Sequence, residues 1–175
     1  EGKPSLVVVE AGTTVDASRV LQLAAALQQT SDHPLAHAVM AKARADGVRV
    51  PPAGDARALP GRGVEAVVDG RRLLLGSTRL MTELGAQPGV LMLSAQGLEA
   101  EGRSISWLLA PDEAAVPGAE QGTRVLGLLA FGDTLKPASP AAVARLRALG
   151  IRTVMLTGDN HGSAQAVARE LGIDE

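Results

Sequence analysis

The spacing of apolar positions changes several times along the chain, and each change marks an element. Leu6 to Val9 is an unbroken apolar run rich in β-branched residues after the polar, turn-prone Glu1-Gly2-Lys3-Pro4, and it predicts a strand. From Thr13 or Thr14 the spacing becomes helical. Val20, Leu21, Leu23, Ala24 and Leu27 form one stripe, predicting a helix to about Gln29. A second stripe, Leu35, Ala38, Val39 and Ala43, starts at Pro34 and ends near Gly47. Proline suits a first helical position because its φ is already set and its missing N–H would be unsatisfied there anyway. Ser31 or Asp32 is placed to cap that helix.

Val48 to Leu59 holds two prolines and Gly54, which predicts a loop leading into a short strand. Val64 to Val68 and Arg71 to Leu75 then flank Asp69-Gly70, the dipeptide of a two-residue hairpin turn. Gly76-Ser77-Thr78 breaks the returning strand, and Ser77 or Thr78 caps a short helix ending at Gly85. Val90 to Glu101 is amphipathic and closed by Gly102, while Ile105 to Ala110 and Val125 to Phe131 are apolar runs of strand length. Pro111 to Gly122 separates these two and is expected to be the least ordered piece.

At Gly132-Asp133-Thr134-Leu135-Lys136-Pro137 the character changes. Helix Ala141 to Leu149, strand Thr153 to Leu156, the turn Thr157-Gly158-Asp159-Asn160 and helix Ser163 to Leu171 follow, the αβα pattern of a parallel, doubly wound sheet. The hairpin-rich middle is α+β instead. Boundaries near residues 10 and 133 therefore divide the chain, with the middle inserted into a sheet domain of which only the two ends are present.

Composition narrows the function classes. Of 175 residues, 46% are apolar and 21% charged, enough to build a core. A net charge of −2 without basic blocks argues against nucleic acid as a main partner. The absence of cysteine excludes disulfides and thiolate metal sites and suits a reducing compartment. No apolar run approaches the roughly 20 residues that span a bilayer. No signal peptide is visible, so the chain as given is expected to be soluble. Trp107 and Phe131 are the only aromatics, so a purine would have to be held by aliphatic walls, an imidazole or a guanidinium.

The candidate chemistry is sparse. Ser31-Asp32-His33-Pro34-Leu35 places an imidazole at a helix mouth, where backbone N–H groups and positive dipole potential face outward. Gly61-x-Gly63 lets backbone approach a ligand without a Cβ in the way, and Gly76 falls at the same end of the hairpin. His33 and His37 have a zinc-compatible spacing, but no third ligand is evident, so a metal site is not expected and His37 is assigned to surface or packing. Asp159, after a strand end, stands where open α/β sheets bind ligands, and Asp133 and Lys136 are expected nearby.

Taken together these motifs resemble the heavy-metal-transporting P-type ATPases, with their copper exporters. Ser31-Asp32-His33-Pro34-Leu35 is similar to that branch's S-E-H-P-L, Gly61-Arg62-Gly63-Val64 to its G-x-G loop, and Leu75-Gly76 to its later glycine. Asp133-Thr134-Leu135-Lys136-Pro137 resembles the hinge that returns to the phosphorylation domain, and Thr157-Gly158-Asp159-Asn160 its T-G-D-N motif. Two positions depart: Asp32 stands for the usual glutamate, and Ser77 for the asparagine after the later glycine.

The resemblance implies an α+β nucleotide-binding domain, an antiparallel sheet flanked by helices, at residues 10–132. It would be inserted in a partial haloacid-dehalogenase-like α/β phosphorylation domain at 1–9 and 133–175. It implies ATP as ligand, with Asp32 accepting a hydrogen bond from the adenine amino group and His33 orienting the ring. Gly61, Gly63, Gly76 and Ser77 would lie along the nucleotide, and Asp159 would belong to a partial phosphorylation site. The phosphorylated aspartate and the magnesium motif are expected outside this chain, which should therefore bind ATP without turning it over. The intact protein would use magnesium and export a metal, monovalent copper in preference to zinc or cadmium, with this part on the cytosolic face. Its membrane helices, actuator domain and a metal-delivery domain would be the partners. The competing readings are a capped dehalogenase-like phosphohydrolase, which lacks an Asp-x-Asp nucleophile here, and a partner-binding module without nucleotide.

Overall fold

A computed structural model describes residues 4–112, 122–133, 138–156 and 161–173. Its frame is a six-stranded, wholly antiparallel sheet in the order β1-β6-β5-β4-β3-β2. The strands are β1 (Pro4–Ala11), β2 (Ala53–Leu59), β3 (Gly63–Val68), β4 (Arg71–Gly76), β5 (Ser104–Pro111) and β6 (Thr123–Asp133). The helices are α1 (Ala17–Gln28), α2 (Pro34–Ala45), α3 (Thr78–Glu83), α4 (Met92–Ala100), α5 (Ser139–Ala148) and α6 (His161–Leu171). A 3-10 turn, Gly89–Leu91, leads into α4, so the helix expected from Val90 begins slightly later.

Each sheet face buries its own core. On one face α1 and α2 cover Leu6, Val68, Leu73, Leu75, Leu108 and Phe131. On the other, α3 and α4 cover Leu74, Trp107, Leu109 and Leu128. Helix α1 is the main cover: Val20, Ala24, Ala25 and Leu27 are almost wholly buried. It seats closely because β6 presents Gly127 beneath it. A Cβ there would lie 2.6 Å from a Val20 methyl and from the Glu10 carbonyl oxygen. The β5–β6 register shifts between Leu108 and Leu109, a bulge that adds a residue to β6 next to this glycine.

Local chemistry decides the helix starts, and two differ from expectation. Helix α1 is capped by Asp16, whose carboxylate accepts from the Arg19 N–H at 2.7 Å, rather than by Thr13 or Thr14. Helix α2 is capped by His33 itself, not by Ser31 or Asp32. Pro34 at the first position makes its predecessor the cap, and proline drives that predecessor into extended backbone, here φ −67 and ψ 140. The Asp69-Gly70 hairpin turn forms as expected, with φ of 52 and 73 at its two residues.

One expected strand is not formed. Residues 151–156 carry no ladder, and Ile151, Val154 and Leu156 are half to almost fully exposed. A lone apolar run becomes a strand only beside a partner, and no described strand neighbours it. Helix α5 buries no residue. The turn 157–160, with Asp159, and the segments 113–121 and 134–137, with Lys136, lie outside the described residues.

Candidate functional site

Two groups of predicted site residues are built by different elements. The first is the end of the β3–β4 hairpin opposite Asp69-Gly70. Gly63 and Gly76 are direct cross-strand partners there. Gly63 has φ 151, outside the range of L side chains, and a Cβ on it would collide with the Leu75 carbonyl and lie 2.6 Å from the Gly76 Cα. A Cβ on Gly76 would run into the Arg62 carbonyl. The connecting turn is tied by the Arg62 N–H donating to the Leu59 carbonyl and the Ser77 N–H donating to the Arg62 carbonyl, both at 2.9 Å. Gly61 turns the chain at φ 67. Ser77 then caps α3, its hydroxyl accepting from the Leu80 N–H. Gly61, Gly63, Gly76 and Ser77 thus form one patch of bare backbone.

Charged side chains fix this hairpin. Arg62 pairs with Glu83 of α3 at 2.6 Å, and Arg79 also donates to Glu83, at 2.8 Å. The hydrogen bond from Arg79, then that from Arg62, hold the Glu83 carboxyl below the usual carboxylate range. In mid-strand, Glu65 of β3 accepts from Arg72 of β4 and Arg57 of β2. Its side chain is only 10% exposed. The Arg72 hydrogen bond outweighs burial and keeps this carboxyl ionised below its ordinary range. Burial of a carboxylate is tolerable because two guanidiniums meet it.

The second group is the junction of α1 and α2. The His33 Nδ1 accepts from the Leu35 N–H at 3.2 Å, and the His33 N–H donates to the Ser31 hydroxyl at 3.3 Å. With Nδ1 engaged as an acceptor, the neutral ring carries its proton on Nε2, which is free to face a ligand. Asp32 and His33 are exposed, and so is His37. Among the described residues no three His, Asp or Glu side chains gather to hold a metal ion.

The sequence reading missed Gln28. It ends α1, is 91% buried, and its Oε1 meets no hydrogen-bond donor among the described residues. Leaving a buried carbonyl without a donor costs about 1–3 kcal/mol. The signal was present: Leu21, Ala24 and Ala25 lead one helical stripe to position 28, where an amide replaces the expected apolar side chain. The backbone carbonyl of Gln28 accepts from the Ser31 N–H at 3.2 Å, which folds the chain into the Asp32–His33 turn.

The two groups share a core. Leu35, just inside α2, and Val64, next to Gly63, both pack against the cluster that α1 buries. No described hydrogen bond or ion pair joins Asp32 or His33 to the glycine patch. Chemically, the set suits a purine. It offers an Nε2–H donor, a carboxylate and backbone without Cβ atoms, all without an aromatic platform.

A model of the haloacid dehalogenase-like hydrolases matches residues 11–175. The chain is 35% identical over all its 175 residues to a copper-transporting P-type ATPase of Rhizobium leguminosarum bv. viciae, of which it covers 20%. It is 34% identical over 174 residues, 99% of its length, to a zinc/cadmium/lead-transporting P-type ATPase of Escherichia coli (strain K12), covering 21% of that protein. In three dimensions 98% of the chain superposes on 26% of a zinc-transporting PIB-type ATPase in an E2.Pi state, with a TM-score of 0.82 and 33% identity. The chain thus spans about a fifth of the length of the curated relatives it matches. It belongs to the haloacid dehalogenase-like hydrolase family, and along its whole length it is a relative of the heavy-metal-transporting P-type ATPases.

Proposed function

We propose that this chain is the ATP-binding part of a metal-exporting P-type ATPase, with the purine held between the α1–α2 junction and the glycine end of the β3–β4 hairpin. The observation that carries the site is the His33 ring, whose Nδ1 is fixed by the Leu35 N–H at the start of α2, leaving Nε2 unengaged beside the exposed Asp32 carboxylate. An adenine amino group carries two N–H donors. The Asp32 carboxylate is the acceptor for one of them, and the His33 Nε2–H faces a ring nitrogen. Gly61, Gly63 and Gly76 admit the rest of the nucleotide along bare backbone, with Ser77 at its edge.

Residues 4–132, which share the sheet with β1, would form the nucleotide-binding unit, a start six residues earlier than the boundary near residue 10, and 133–175 would belong to the phosphorylation unit. Support comes from the register that sets Pro4 opposite Asp133, so that both connections leave the sheet side by side. Bound ATP supplies the phosphoryl group, while an aspartate and magnesium outside this chain perform the transfer. Asp159 contributes to that site. No described helix is long and apolar enough to cross a membrane. Membrane helices, an actuator domain and a metal-delivery domain would be partners at the cytosolic face, and the cargo would be a heavy-metal cation, monovalent copper by preference.

Titration calorimetry with ATP and GTP tests the reading. ATP should bind with a Kd of about 0.1–1 mM, roughly 4–5.5 kcal/mol, and GTP at least about tenfold more weakly. A guanine carbonyl would face the Asp32 carboxylate where the adenine amine donates, leaving two acceptors opposed. Equal affinity for the two nucleotides would contradict the assignment.

A further inference from the structure

A second groove lies at the other end of the same hairpin. It encloses about 810 Å3 between the first turn of α1, the Asp69-Gly70 turn and the ends of β5 and β6. That size falls within the few hundred to about 1,000 Å3 usual for small-molecule sites. Strand β3 separates it from the glycine patch by six residues, about 17 Å at 3.4 Å per residue. It is therefore a different place from the purine site and rests on different residues.

Its walls combine two chemistries. The floor includes the buried aliphatics Leu23, Val68 and Leu126. Four guanidiniums line the rim, those of Arg19, Arg71, Arg72 and Arg124, against the two lining carboxylates of Asp69 and Asp112. Arg19 is held by Asp69 at 2.6 Å and Arg124 by Asp112 at 2.7 Å, all four side chains being at least 38% exposed. Ion pairs this exposed are worth little and exchange readily, so the guanidiniums are available to a competing anion. Arg72 is committed to Glu65. Arg71, exposed, has no hydrogen-bond or ion-pair partner among the described residues. The lining therefore carries an excess of positive charge over an apolar floor.

We propose that this groove binds a phosphate monoester attached to an apolar body. The planar guanidinium fork matches phosphate oxygens two at a time. Arg71 with Arg19 or Arg124 would take the headgroup, and the aliphatic floor would take the body. That ligand chemistry has two sources, a soluble organic phosphate and a phospholipid headgroup.

Amide shifts of the full 175-residue chain, followed by NMR at constant ionic strength, test it with glycerol 3-phosphate and with water-soluble dihexanoyl phosphatidic acid. Saturable shifts are expected at Gly70, Arg71 and Arg124 to Leu126, with Gly61 to Gly63 unmoved. Arg71→Ala should weaken binding about tenfold, the loss expected for a charge-assisted pair. Arg79→Ala, away from the groove, should leave it within about twofold. A preference of about tenfold or more for the phosphatidic acid assigns a lipid source, because burying its chains uses the floor, and a smaller preference assigns a soluble phosphate. No saturable shift by about 10 mM of either probe, or equal binding by Arg71→Ala, would overturn the proposal. Both results are readable whether or not the purine site is correct.

Discussion

Replacing Gln28 by leucine should make the protein more stable and leave its ATP binding unchanged. The Gln28 side chain is 91% buried with an oxygen that no described donor meets. The folded protein carries the desolvation penalty of that carbonyl, about 1–3 kcal/mol, without a compensating bond. Leucine is similar in length, continues the stripe of Leu21, Ala24 and Ala25, and removes the penalty. For a chain of this size each kcal/mol raises Tm by about 2–4 °C. The response to ATP should not change, because an Oε1 sealed from solvent does not meet a ligand. At ten to a hundred times its Kd, ATP should stabilise the wild-type chain by about 1.4–2.7 kcal/mol through mass action. Gln28→Leu should show the same increment, whereas a tenfold weaker site, about 1.4 kcal/mol, would lose most of it at the lower concentration. Thermal unfolding with and without ATP reads both effects in one experiment. If Gln28→Leu unfolds at a lower temperature than wild type, or loses the ATP-induced shift, the reasoning is refuted.

Three further outcomes follow from the same geometry. His33→Asn retains a good N-cap and removes the imidazole, so urea unfolding should change by less than about 0.5 kcal/mol while ATP affinity falls; His33→Ala should also lose cap energy, about 0.5–2 kcal/mol. Gly63→Ala forces a Cβ into the Leu75 carbonyl at φ 151 and should cost at least about 1–3 kcal/mol by chemical denaturation, with ATP binding lost in parallel. Glu65 makes a pH-dependent contribution. Because Arg72 and Arg57 hold its folded carboxyl below the ordinary 4.5, its stabilisation is fully present above that value and is lost as pH falls through the lower, folded value. Glu65→Gln should be less stable near neutrality and should lack that segment of the acid limb, which denaturation at a series of pH values from neutral down to about 2 would reveal.

What the sequence discloses depends on how local the determinant is. The Asp69-Gly70 turn and the Pro34 helix start are set by backbone preferences of the residues themselves, and both form as read. The cap of α2 was misplaced by one or two residues because Ser31, Asp32 and His33 all offer acceptors, and only the backbone bias imposed by Pro34 selects among them. Pairing is less local. Thr153 to Leu156 has the composition of a strand but no described neighbour to pair with, so the pattern alone overstated it. The glycine patch was foreseeable as a convergence of Gly61, Gly63 and Gly76, since a hairpin of known turn fixes which residues face each other. Gln28 was not, because its significance lies in what fails to meet it. A missing hydrogen bond is a property of packing, which residue order does not state.

The central claim is that one purine touches both the α1–α2 junction and the glycine end of the hairpin. Intermolecular nuclear Overhauser contacts in the ATP-saturated chain measure this directly. The expected result is that adenine protons give cross-peaks both to the His33 ring and to the Gly63 or Gly76 backbone in a single complex. Cross-peaks from adenine to only one of these groups, or to the groove around Arg71 and Arg124 instead, would contradict it.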